Sequence, residues 1–248
     1  MKAVLLVGGL GTRLRSAVPS LPKALASVGG RPFLELLVRQ LACQGLRQLV
    51  MCTGYLSEQI EEVFRDGIDF GGTIEYSKET VPLGTAGALK LAQRYLQQES
   101  EFLVLNGDSF VEVDFNDLID FHSKHSSLAT IAVVAVENAS RYGTVHVGAA
   151  SRVLGFAEKS CQDAPGIINA GVYVFSNSIL AQIPDGPASL ERDVFPQLLE
   201  QGVYAVEHRG IFIDIGTPDD YVRASEMYGR LATAALDKRC RISPIAIS

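Results

Sequence analysis

The chain has 248 residues, 47% hydrophobic and 20% charged, with a formal net charge of −6. That composition supports a large core in an ordinary globular protein, and its acidic balance excludes the basic footprint of a nucleic-acid binder. The first apolar run follows one lysine and stops at Gly8. It is too short for a signal peptide or a membrane span, so a cytoplasmic location without a membrane partner is expected.

The run from Lys2 to Val7 is apolar and partly β-branched, as in a strand buried on both faces of a parallel sheet. It leads into Gly8, Gly9 and Gly11, where the backbone can turn sharply and present its N–H groups to phosphate oxygens. Thr12 adds a hydroxyl, Arg13 a forked guanidinium and Lys23, ten residues on, a compact ammonium. A dinucleotide loop needs a third glycine where Leu14 stands, and an acid at the end of the next strand, which instead ends in Thr53 and Gly54. The Gly-Lys-Ser/Thr string of a P-loop is absent too. The loop reads as a polyphosphate cradle of another kind.

A helix is predicted from Pro32 to a stop at Gly45, then a strand from Gln48 to Thr53. A helix N-capped by Ser57 and a weak strand from Gly72 to Ser77 follow. This alternation predicts a parallel sheet covered on both faces. The small residues of Val81 to Leu89, VPLGTAGAL, open a helix reaching about Gln98 and suit a loop pressed on a flat ligand. The strand from Phe102 to Leu105 runs into Asn106-Gly107-Asp108-Ser109. Asp108 thus stands at the carboxyl end of a strand, where open α/β sheets bind ligands, and a carboxylate buried there needs a cation.

A helix from Asn116 to Lys124 and a strand from Ala129 to Val136 close a first half, about residues 1–137. His122 and His125 in HSKH are predicted to form a solvated patch. The texture then changes to short strands, Thr144 to Val147, Val153 to Glu158 and Gly171 to Phe175, which suggest an antiparallel extension. A helix from Ser189 to Gln201 carries Glu191 and Asp193 in its first turn, where the helix dipole favours acids. Asp214 ends an apolar strand before a helix from Pro218 to about Leu231. No linker, repeat or low-complexity tract divides residues 1–248, so one domain of two halves is expected. Cys43, Cys52, Cys161 and Cys240 show no metal-ligand spacing and read as structural filler, Cys43 and Cys52 as free thiols.

The string GGLGTRLR, followed by Pro22-Lys23, resembles the signature of the sugar-phosphate nucleotidyltransferases. Within that family the chain most resembles the D-glycero-α-D-manno-heptose 1-phosphate guanylyltransferases. The resemblance implies a Rossmann-like three-layer α/β/α fold, with a mixed, mostly parallel central sheet and a small β-rich sugar-binding extension. It implies catalytic roles for Arg13 and Lys23, and nucleotide contacts from Leu6, Gly8, Gly9, Gly11, Thr12, Gly84, Thr85 and Gly87. Tyr142, Gly143, Glu158, Lys159, Asn169 and Gly171 would hold the sugar phosphate, and Asp108 and Asp214 a Mg²⁺ ion. These guanylyltransferases more often carry glycine where Ala86 stands, so a methyl group there would narrow or tilt the base pocket. The expected partners are GTP and heptose 1-phosphate, giving GDP-heptose and pyrophosphate. Mannose guanylyl, glucose thymidylyl or uridylyl transfer, and a catalytically silent nucleotide-sugar sensor, are the alternatives. Guanine and heptose rest on resemblance alone, and the oligomeric state is not legible.

Overall fold

The computed structural model describes residues 1–14, 17–157 and 163–236. β1 (Ala3–Leu6) leaves through the glycine loop to a 3₁₀ turn at Lys23–Leu25 and a hairpin, β2 (Ser27–Val28) and β3 (Arg31–Pro32). α1 (Phe33–Cys43) starts after Pro32 and is followed by Gly45 at φ +88°, the left-handed stop that glycine accepts without strain. β4 (Gln48–Thr53), α2 (Ser57–Phe64), β5 (Thr73–Lys78), α3 (Gly84–Leu91) and α4 (Gln93–Leu96) come next. β6 (Glu101–Asn106), β7 (Ser109–Val111), α5 (Phe115–His125) and β8 (Ala129–Val136) precede β9 (Thr144–Val147), β10 (Val153–Ala157) and β11 (Gly166–Ser176). After a π turn at Leu190–Val194 the chain forms α6 (Phe195–Gly202), β12 (Val203–Glu207), β13 (Phe212–Asp214), α7 (Pro218–Glu226) and α8 (Tyr228–Ala235).

Among the described residues one nine-stranded sheet carries the fold, in the order β10-β9-β11-β6-β1-β4-β5, with β8 joining β11 and β12 joining β8. β6, β1, β4 and β5 are parallel, and β11 runs against both β6 and β8. The sheet is mixed and mostly parallel, as expected, because only β11 and β10 oppose the common direction. Successive strand residues face opposite ways, and that period builds the three layers. Ala3 and Leu5 enter a core with Leu34 and Leu37 of α1, Leu118 of α5 and Leu231 of α8. Val4 enters the opposite core with Leu89 of α3 and Phe195 and Leu198 of α6. Each fully buried leucine or phenylalanine contributes about 1.5–3 kcal/mol.

Several predicted details change. Leu56, in the left-handed region, precedes α2, and Ser57 is its first helical residue with a buried, unpartnered hydroxyl, so Ser57 does not cap. The helix expected from Ser189 begins as a π turn, with Ser189 accepting from Arg192 N. The helix expected to reach Gln98 breaks between Leu91 and Gln93, and the chain adds the strands β7 and β12. His122 is fully buried, not solvated, because hydroxyls on the sheet receive it: Nδ1 lies 2.9 Å from Thr130 Oγ1 and Nε2 3.3 Å from Ser176 Oγ. Cys43 is disulfide-bonded rather than free, while Cys52 is a buried thiol that desolvation pushes up to about 12. No helix among the described residues is long and apolar enough to cross a membrane.

Candidate active site

β1 pairs in parallel with both β4 and β6, so its carboxyl end opens at the middle of the sheet, where α/β sheets present ligands. Val7 N still bonds Cys52 O at 2.9 Å, and beyond it the glycine loop is free of the ladder. A cavity of about 360 Å³ lies over this loop. Leu6, Gly8, Gly9, Gly11, Thr12 and Arg13 line one wall, Lys23 and Asp108 another, and Gly84 and Thr85 a third. Gly11 is in the left-handed region at φ +58°, and a Cβ there would stand 3.1 Å from Lys23 Cβ. Glycine thus lets the loop close on the lysine.

Asp108 and Asp214 meet through strand register. β13 pairs antiparallel with β7, setting Asp214 opposite Ser109, the neighbour of Asp108, and Ile215 N donates to Asp108 O at 3.0 Å. Gln40 of α1 and Gln44, the residue after it, pin this connection from behind: Gln40 Nε2 donates to Val111 O at 2.8 Å and Gln44 Nε2 to Val113 O at 2.9 Å. Lys23 Nζ stands between the acids, 2.7 Å from Asp108 Oδ2 and 3.7 Å from Asp214 Oδ1. Burial, and then the Asp108 carboxylate, raises the Asp214 pKa, against the pull of Lys23 and the Gly216 N–H. Among the described residues no group of three or more His, Cys, Asp and Glu side chains could hold a metal ion. Two carboxylate oxygens remain, a hard donor set that matches Mg²⁺ completed by phosphate oxygens and water.

A second cavity of about 690 Å³ adjoins the first, and Arg13, Asn106 and Gly216 line both. Tyr142, Gly143, Asn169 and Asp214 line it, with Glu191 and Arg192 opposite. Asn169 is turned out by a break in β11, whose pairing with β8 shifts register between Asn169 and Tyr173. Gly171 makes the break possible at φ +75°, where a Cβ would stand 2.8 Å from Asn106 Nδ2. Its N–H donates to Asn169 Oδ1 at 2.9 Å and fixes that amide. Tyr142 is braced edge-on by Phe212, with centroids 5.7 Å apart. The preceding Arg141 pairs with Asp220 and donates to Thr217 Oγ1, the cap of α7.

Not every expected residue reaches a cavity. Gly171 lies beneath Asn106 and acts through Asn169, and Gly87 packs against the Gly186 carbonyl rather than lining the first cavity. Ala86 is fully buried in the core, its N–H bonded to Ala188 O at 2.9 Å, so its methyl group does not shape a base pocket. Glu158 and Lys159 lie outside the described residues.

Three lining residues are given no site role by the sequence reading. Glu79 follows β5 directly, and its Oε2 accepts from Leu83 N at 3.0 Å while Oε1 faces the first cavity's glycines. A Cβ on Gly54 would stand 2.6 Å from that Oε1, and one on Gly8 2.9 Å, so both glycines make room for the carboxylate. Burial raises the Glu79 pKa, partly offset by the Leu83 N–H. The rule that found Asp108, an acid at a strand's carboxyl end, applies equally to Glu79. Asn106 has a buried Oδ1 without a partner at the junction of the cavities. Glu191 exceeds the helix-end role expected of it, accepting from Tyr173 OH at 3.0 Å, Ser189 Oγ at 2.9 Å and Thr85 Oγ1 at 3.2 Å.

Comparison with known proteins identifies the family and the fold. The Nucleotidyl transferase family matches residues 2–230. The mannose-1-phosphate guanylyltransferase catalytic subunit beta of Danio rerio is 38% identical over 248 residues, 98% of this chain and 69% of that protein. The mannose-1-phosphate guanyltransferase of Yarrowia lipolytica is 38% identical over 232 residues, 92% of this chain and 64% of that protein. The chain thus spans about two thirds of the length of these relatives. The crystal structure of HddC from Yersinia pseudotuberculosis complexed with GMP-PN has a TM-score of 0.82 at 34% identity, covering 92% of this chain and 99% of that one. A putative glucose-1-phosphate thymidylyltransferase from Bacillus anthracis reaches the same TM-score of 0.82 at 21% identity, covers 96% of each chain, and shares the fold alone. With the family matched across nearly the whole sequence, the chain belongs to the nucleotidyl transferase family.

Proposed function

We propose that the chain transfers a guanylyl group from GTP to a sugar 1-phosphate, with mannose 1-phosphate as acceptor and pyrophosphate as the second product. The observation that carries this reading is the junction of the two cavities at Arg13, Asn106 and Gly216, beside Asp108 and Asp214. A triphosphate in the first cavity and a sugar phosphate in the second would meet there, where the reaction's charge is concentrated.

Glu79 favours guanine. A carboxylate with a free oxygen accepts from the N1–H and N2–H₂ donors of guanine, whereas uracil and thymine offer only one such donor. Mannose takes precedence because the relatives described above carry it in their names. Heptose 1-phosphate, implied by the chain's resemblance to the heptose 1-phosphate guanylyltransferases, is the second reading.

The acceptor's phosphate oxygen attacks the α-phosphorus in line; that O–P bond forms, the bond to the β-phosphate oxygen breaks, and pyrophosphate leaves with the electron pair. A phosphate monoester is already anionic near neutral pH, so the attack needs no general base. The obstacle is the approach of two polyanions, a problem of positioning and charge. Arg13, on both cavities, would hold the departing pyrophosphate, and Lys23 would face charge developing at the α-phosphate. The loop from Gly8 to Thr12 would cradle the triphosphate with its N–H groups. Asp108 and Asp214 would hold Mg²⁺, which when bound supplies Lewis-acid polarisation of the phosphoryl oxygen. By resemblance, Lys159 would pair with the acceptor phosphate.

The test is label transfer from α-³²P-GTP with Mg²⁺. The proposal expects the label in GDP-mannose with one pyrophosphate per turnover. Labelling of a heptose acceptor alone would replace the acceptor, and no labelled product with any sugar 1-phosphate would overturn the reading.

A further inference from the structure

Lys23 is lodged rather than free. Its ammonium donates to Asp108 Oδ2 at 2.7 Å and lies 3.7 Å from Asp214 Oδ1. The side chain is only 11% exposed, against 41% for Asp108 and 26% for Asp214. Its surroundings are cut to fit: a Cβ on Gly11 would stand 3.1 Å from Lys23 Cβ, and one on Gly216 3.3 Å from Nζ. The lysine therefore has a built position as counter-ion of the same two carboxylates that the proposed function gives to a divalent cation.

A divalent cation held by the two carboxylates would lie beside an ammonium that already donates to one of them, and a part-buried site screens two such neighbouring cations poorly. Either cation neutralises the pair; both together are opposed. A triphosphate changes the balance, because Lys23 also lines the cavity over the glycine loop and would find phosphate oxygens there.

We infer that Lys23 and the divalent cation compete for Asp108 and Asp214, so that the free protein binds metal weakly and takes it up together with the nucleoside triphosphate. This rests on the metal site in the proposed function. Nucleotide raises metal affinity by giving the lysine another anion, and by linkage metal raises nucleotide affinity by the same factor. Lys23 thus acts as a loading residue before it acts on the reacting phosphate.

Mn²⁺ binding to the full chain, read by the electron paramagnetic resonance of free Mn²⁺, tests this without turnover. Wild type, Lys23→Met and Lys23→Gln are titrated alone and with α,β-methylene GTP, with circular dichroism establishing which variants are folded. Each folded variant is expected to bind Mn²⁺ without nucleotide about tenfold more tightly than wild type, and to gain less from the nucleotide. Unchanged or weaker binding in a folded variant would overturn the inference. Adding Asp108→Asn to Lys23→Met separates the two levels. Loss of the tightened binding keeps the acid pair as the metal site. Survival of that binding through Asp108→Asn and Asp214→Asn would remove the metal site and the inference with it.

Discussion

Tyr173 donates its hydroxyl to Glu191 Oε1 at 3.0 Å from a ring that is fully buried. The same hydroxyl accepts from Asn169 Nδ2 at 2.8 Å, while the other oxygen of Glu191 accepts from Thr85 Oγ1 at 3.2 Å. One chain of hydrogen bonds therefore links a residue of the first cavity to one of the second. Burial and the Glu191 charge hold the phenol well above its ordinary pKa, so it remains a donor throughout the working range of pH.

Tyr173→Phe keeps the ring and its stacking on Phe175, 5.5 Å away, but strands the carboxylate and the amide. Urea unfolding is expected to show a loss of about 1–3 kcal/mol, the cost of leaving such groups unpaired. Kinetics are expected to show the KM for the sugar phosphate rising more than that for GTP, because Asn169 loses its anchor. A rise confined to GTP would contradict the link to the second cavity.

Glu79→Gln is expected to lower kcat/KM for GTP by about 10–100-fold, since the amide NH₂ can set a donor against guanine's N–H donors where the carboxylate offers only acceptors. Because burial raises the Glu79 pKa, wild-type affinity for GTP is expected to fall with pH from above the usual carboxylate range. Calorimetric titrations at several pH values check both effects, and the variant's affinity is expected to lose this dependence.

His122 gives a pH signature in stability. Burial lowers its pKa from the ordinary value of 6.5, opposed by Glu101. The unfolded chain therefore takes up a proton below about pH 6.5 while the folded chain does not, so stability falls as pH drops until the folded pKa is reached. Above about pH 6.5 both states are neutral and the effect vanishes. Urea unfolding across this window is expected to show a steeper loss for wild type than for His122→Asn.

Asp108→Asn is expected to lower Mg²⁺-dependent turnover by about 100-fold or more, and Lys23→Ala to lower kcat more than it raises KM. Steady-state kinetics at several Mg²⁺ concentrations check both. Normal activity of Asp108→Asn at low Mg²⁺ would deny it the ligand role.

The fold was legible because β1, β4 and β6 are short apolar runs bounded by glycine or polar turns, and their alternation with helices leaves few topologies. The opening loop and Asp108 were legible because backbone geometry and a costly charge both leave marks in the letters. The meeting of Asp108 with Asp214 was not derivable from periodicity, since it depends on the register of β13 against β7, two strands of three residues each. Glu191 is not legible as a site residue because the helix dipole explains an N-terminal acid locally, whereas its partners Thr85 and Tyr173 come from distant segments. The burial of His122 is not legible because the hydroxyls that receive it lie on β8 and β11, outside the polar string that surrounds it in sequence.

The central claim, guanylyl transfer to a sugar 1-phosphate, is tested most directly by pyrophosphate release at fixed mannose 1-phosphate and Mg²⁺ with GTP, ATP, UTP and dTTP in turn. The account expects GTP to exceed each of the others by about tenfold or more in kcat/KM. Preference for another base, or no release with any of the four across mannose, heptose and glucose 1-phosphates, would contradict it.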